Sequence, residues 1–130
     1  MREIKFRAWD KQYKTMSAVT LIMFNTNEID CIGNTGEPKD IDHFELMQFT
    51  GLKDKNGKEI YEGDILKIST DRFLNFRNKF KVEYNQNESR FEILQYWKSQ
   101  DKWHHLSNKV SYYQYEVIGN IHDNPELLQQ

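Results

Sequence analysis

Strict alternation of apolar and polar residues constrains this chain more than any other feature. In REIKFRAW, residues 2 to 9, Ile4, Phe6 and Ala8 share one parity and Glu3, Lys5 and Arg7 the other. That is the two-residue period of a strand with one buried face. The period returns in Phe80-Lys81-Val82-Glu83-Tyr84 and in RFEILQYW, residues 90 to 97, with Asn85-Gln86-Asn87-Glu88-Ser89 between them as a turn. These two segments read as a hairpin, and the chain as mainly β.

Shorter signals fill in the rest. Asp10 to Lys14 is a polar turn, after which Met16 to Val19 and Leu21 to Phe24 return antiparallel to the first strand. Residues 25–43 have the Asn, Asp, Gly and Thr content of a loop and are expected to be mobile, with Glu28 to Ile32 as a short strand inside them. Phe44 to Phe49 is a further strand, residues 98–111 a polar connection, and Tyr112 to Ile121 the last strand. Asn124-Pro125 places a capping residue before proline, which predicts a short C-terminal helical turn. The expected organisation is an N-terminal β-hairpin subdomain over residues 1–50, with a mobile loop, followed by an SH3-like curled antiparallel sheet or barrel and a tail over residues 51–130. A β-rich α+β arrangement is the alternative.

The stretch GLKDKNGKEIYEGDILK, residues 51 to 67, sets glycine beside charge, as calcium loops, phosphate cradles and structural corners all do. Placing Gly57 on the obligatory glycine of an EF-hand puts Leu52 and Gly63 where two essential carboxylates must stand. A P-loop fails too, because Gly57 is followed by Lys58 and Glu59 rather than Lys-Ser/Thr. The structural reading fits: Asn56-Gly57 predicts a type I′ hairpin turn, and Gly63-Asp64 a second turn leading into the strand at Ile65. Asn56, Gly57, Gly63 and Asp64 are therefore read as structural turn residues.

Composition limits the function classes. The 130 residues include eight Phe, seven Tyr and three Trp but only two prolines, which supports a folded domain. A single cysteine, Cys31, excludes an intramolecular disulfide, and no apolar run reaches the length of a membrane helix, so a cytoplasmic protein is expected. The net charge is −2, yet residues 72–109 carry eight basic against four acidic side chains.

Candidate chemistry was weighed against plainer readings. His104, His105, His122 and Asp123 could in principle hold a metal, but adjacent histidines on a strand face opposite ways and the spacing of a metal site is missing. Cys31 with His43 lies among Glu28, Asp30, Glu37, Asp40 and Asp42, whose acidity raises a thiol pKa instead of activating it. Asp54, Glu59, Glu62 and Asp64 lie among lysines and read as surface pairs and turn caps more simply than as an acid–base pair. No catalytic residue, metal or cofactor is assigned.

The basic, aromatic middle is the stronger lead. Phe73, Phe76, Phe80, Tyr84, Tyr96, Trp97 and Trp103 supply rings, and Arg72, Arg77, Lys79, Lys81 and Arg90 supply charge, the two parts of a single-strand nucleic-acid surface. Against it, most rings on half-buried strands face a core, and the chain as a whole is not basic.

Three segments in order, MREIKFRAWD, LMQFTGLKDKNGKEIYEGDILK and EVIGNIHDNPELL, resemble the YopX family of small phage and prophage proteins. The resemblance implies a phage- or prophage-encoded, predominantly β protein with oligomeric members, and it brings no reaction, cofactor or catalytic residues. The segment from Thr70 to Ser111 departs from it in being basic and aromatic. The expectation is a non-enzymatic accessory protein acting through self-assembly or contact with a phage or host protein, with nucleic-acid binding as the alternative.

Overall fold

The structure, a computed structural model, describes residues 3–33, 36–68, 79–97, 102–105 and 115–128. Among these the chain is mainly β: eleven strands, all pairings antiparallel, and two short 3-10 turns. It divides into two compact units, Met1–Phe49 and Thr50–Gln130.

In the first unit the N-terminal alternation becomes β1 (Phe6–Asp10). Ala8 is buried, and the same period carries Asp10 inward, whereas Ile4 precedes the strand and stays exposed. β1 pairs with β2 (Thr15–Met23) on one side and with β5 (Phe44–Lys53) on the other. β2 pairs in turn with β3 (Glu28–Cys31), its register shifting between Val19 and Leu21. β4 (Lys39–Asp40) borders β3, and a 3-10 turn at Ile41–His43 leads into β5. Within residues 25–43 the short strand expected at Glu28 to Ile32 is present as β3, and β4 and the helical turn are additions that composition did not indicate. Ile29 and Cys31 are buried there with Ala8 and Phe44, and Val19, Ile22 and Leu46 pack against them.

Strand β5 runs through the division at residue 50. Its last residues belong to the second unit, where they neighbour β6 (Glu59–Tyr61), and the Thr50 hydroxyl donates to the Ile60 carbonyl at 2.7 Å. A five-stranded sheet follows, in the order β10, β9, β8, β7, β11, formed by β7 (Asp64–Ile68), β8 (Lys79–Asn85), β9 (Arg90–Trp97), β10 (Lys102–His105) and β11 (Tyr115–Asn120). The predicted hairpin of β8 and β9 is present, Phe80 opposite Gln95 and Asn85 opposite Arg90. β10 was not expected: its four residues are polar or bulky without alternation, and it exists by pairing with β9, Lys102 opposite Trp97. The core joins Ile60, Leu66, Phe80, Val82, Tyr115 and Val117, with the Phe80 and Tyr115 rings edge to face at 5.5 Å. The chain ends in a 3-10 turn at Pro125–Leu128, where the Leu127 carbonyl accepts from Lys79 Nζ at 2.9 Å.

Candidate functional site

Among the described residues four aspartates are buried, Asp10, Asp30, Asp54 and Asp64, and each accepts from backbone N–H at a turn or strand end. Asp54 is the most heavily used. Its Oδ1 accepts from Asn56 N at 2.8 Å and Lys58 N at 2.9 Å, and its Oδ2 from Val117 N at 2.9 Å. Burial alone would raise its pKa, but those three donors favour the charged form and hold the carboxyl below its ordinary value. Asp64, 2% exposed, accepts from Tyr61 N at 2.8 Å. These two carboxylates serve the backbone, while Glu59 lies on β6 and Glu62 in the turn after it.

The turns themselves differ in one respect from expectation. Gly57 has φ +82°, but Asn56 is not among the residues with positive φ, so the loop is not type I′. Gly57 N donates to the Asp54 carbonyl at 3.0 Å and Asp54 N to the Lys58 carbonyl at 2.8 Å, the pattern of a three-residue loop closed by a left-handed glycine. The carboxylate of Asp54 selects this form by drawing in both Asn56 N and Lys58 N. Gly63, also at φ +82°, donates to the Val82 carbonyl and accepts from Ile121 N, both at 2.8 Å, tying the second turn to β8 and the end of β11.

In the first unit, Asp10 Oδ1 accepts from Gln12 N and Tyr13 N, each at 2.9 Å, and His43 Nε2 stands 3.0 Å from its Oδ2. The approach of Nε2 to that oxygen is close but not well aligned for a hydrogen bond. Burial opposes ionisation of Asp10, while Tyr13 N, His43 and Gln12 N together lower its pKa. His43 is therefore committed to Asp10. The Cys31 thiol is buried, and its pKa is raised by that burial first and by Asp30 and Asp10 second, the reverse of an activated nucleophile. Among the described residues no group of three or more His, Cys, Asp and Glu gathers as a metal cradle would. His104 and His105 are neighbours on β10, and His122 is in the turn after β11.

The basic segment is only partly described. Arg72 and Arg77, with Phe73 and Phe76, lie outside the described residues. Lys79 is held by the Leu127 carbonyl, Lys81 Nζ is 3.6 Å from Glu83, and Arg90 Nε is 3.1 Å from Glu92. Phe80 is a core residue, and Tyr84 packs edge to face on Phe91 at 5.2 Å. Trp97 lies on β9 and Trp103 on β10, their side chains outside the described part of the structure.

The first unit carries a different kind of surface. Among the described residues, Ile4, Tyr13, Leu21, Phe24 and Ile32 are the exposed large hydrophobics of this unit, and Tyr84 is exposed in the second. Phe24 is the extreme at 84% exposed. Beside it a cavity of about 100 Å³ is walled by Phe6, Ile22, Met23, Ile41 and Leu46, with Asn27 and Glu28 at its edge. Sequence reading missed this surface. Its signal was the run Leu21-Ile22-Met23-Phe24, because a strand that places Ile22 inward must place Leu21 outward.

Fold and site together define a mainly β protein whose buried carboxylates serve its turns and whose first unit carries an exposed phenylalanine beside an apolar cavity. The chain belongs to the YopX family, described as YopX protein, whose model matches residues 5–129. It is similar to a solved structure, the crystal structure of protein EF1440 from Enterococcus faecalis, with a TM-score of 0.69, 32% identity, and coverage of 98% of this chain and 99% of that one. No curated protein matches it.

Proposed function

We propose that this is a non-enzymatic accessory protein of a bacteriophage or prophage, working in the bacterial cytoplasm through protein contact, either self-assembly or binding of a phage or host protein. The observation that carries this reading is Phe24, 84% exposed and at the rim of an apolar cavity, since exposed apolar surface that is contiguous marks interaction sites. The buried aspartates support it from the other side, because their lone pairs are taken by backbone donors. Membership of the YopX family supports the phage setting. We read the sheet of the second unit as SH3-like. Nucleic-acid binding is the weaker reading, because Lys79, Lys81 and Arg90 are already engaged within the fold.

Light scattering over a concentration series tests self-assembly. A mass above that of one chain, lowered by Leu21→Ser with Ile32→Ser and unchanged by Tyr84→Ser, is the expected result. A single-chain mass at every concentration removes self-assembly and leaves a heterologous partner.

A further inference from the structure

The cavity beside Phe24 carries a more specific conclusion, one that rests on the protein-contact reading. Its volume of about 100 Å³ is far below the roughly 300–1,000 Å³ of small-molecule sites, and its walls are apolar, so it suits one apolar side chain rather than a metabolite. Its edge is acidic. Glu28, which lines it, stands directly opposite Asp40 in the β3–β4 register. Like charges facing each other across strands are destabilising, and among the described residues neither carboxylate is ion-paired. The nearby cations are engaged elsewhere: Lys39 Nζ is over the Tyr13 ring at 5.3 Å, and Lys11 is on the Asp42 carbonyl and Glu45.

We infer that this cavity binds an apolar side chain of a partner protein segment whose flanking residues are lysine or arginine. The apolar side chain fills the space lined by Phe6, Ile22, Ile41 and Leu46, and its basic neighbours offset the like charges of Glu28 and Asp40. A second copy of this chain is the poorer occupant, because an isologous contact through this face gathers two such acidic pairs in one interface.

The test is a titration of the 15N-labelled protein with two short synthetic peptides, each with a central phenylalanine, one flanked by lysines and the other by glutamates. Expected are amide shifts at Ile22, Glu28 and Ile41 with the lysine-flanked peptide, about tenfold weaker binding of the glutamate-flanked one at low salt, and loss of that preference in Glu28→Lys, which sets a lysine opposite Asp40. The same spectra show whether that variant is folded, and Glu28→Gln, which keeps Asp40 and should narrow the difference between the peptides, serves if it is not. Equal binding of both peptides to the native protein overturns the charge-selected partner and leaves the protein-contact reading standing. Shifts at these amides on concentrating the protein alone overturn it in favour of a second copy. No cavity shifts with either peptide overturn the site itself, while the light-scattering result judges the broader reading separately.

Discussion

Oδ2 of Asp54 accepts the backbone N–H of Val117 at 2.9 Å, joining residues 63 positions apart. Through the other oxygen the same carboxylate closes the loop over residues 55–57, so one side chain shapes a local turn and anchors the last strand. Asp54→Ala leaves three N–H groups without this acceptor and should cost about 2–4 kcal/mol. Asp54→Asn, which keeps acceptor capacity on one oxygen only, should cost less. Urea denaturation with the slope held constant measures both, and a loss under 0.5 kcal/mol for Asp54→Ala, roughly the scatter of an ordinary surface change, contradicts the anchoring role.

Acid should weaken this fold through the same groups. Asp10 and Asp54 both have pKa values below the ordinary 3.8, because backbone donors, and for Asp10 also His43, outweigh the cost of burial. Their contribution is fully present above that ordinary value and is lost as pH falls through the lower folded-state values. Urea midpoints should be level on this account down to about pH 5 and drop below about pH 4, less steeply in Asp54→Asn. A native profile unchanged to pH 2 rules the account out.

At Gly57 nothing lies within 4 Å of where a Cβ would be, and φ is +82°. Substitution there meets only the backbone penalty, about 1–2 kcal/mol for alanine and less for asparagine, which tolerates the left-handed region. Thermal melts of Gly57→Ala and Gly57→Asn should rank in that order, and the opposite ranking would mean that the loop takes another form.

The buried, raised-pKa thiol of Cys31 predicts slow reaction with an aromatic disulfide reagent. Native protein should label about 100-fold more slowly than urea-unfolded protein, since access requires opening of the unit. Similar rates in the two states contradict the buried placement.

If the described basic residues are spent on internal contacts, Lys81→Ala and Arg90→Ala should each change single-stranded DNA affinity by less than about twofold. Fluorescence anisotropy at low and moderate salt reads this. Micromolar binding with a steep salt dependence would return the nucleic-acid reading to the front.

Much of the fold was legible because periodicity is local: β1, β8 and β9 each announce themselves within a few residues. What escaped depends on distant partners. β10 exists because β9 offers an edge, and the loop at Gly57 takes its form from a carboxylate that also holds β11. Asp10 and Asp30 read as polar loop residues because nothing near them in sequence reveals that backbone donors will surround them. The exposed Phe24 was hidden for the opposite reason: an apolar residue at a strand end reads as core until the strand's facing is known.

Protein contact through the first unit is tested most directly by placing a photo-cross-linking phenylalanine analogue at Phe24 and, separately, at Tyr84, a ring exposed among the described residues of the second unit. Irradiation of cells making each protein should give a discrete adduct from position 24 and none from position 84. Adducts from position 84 alone, or equal adducts from both, contradict the assignment of the working surface to the first unit.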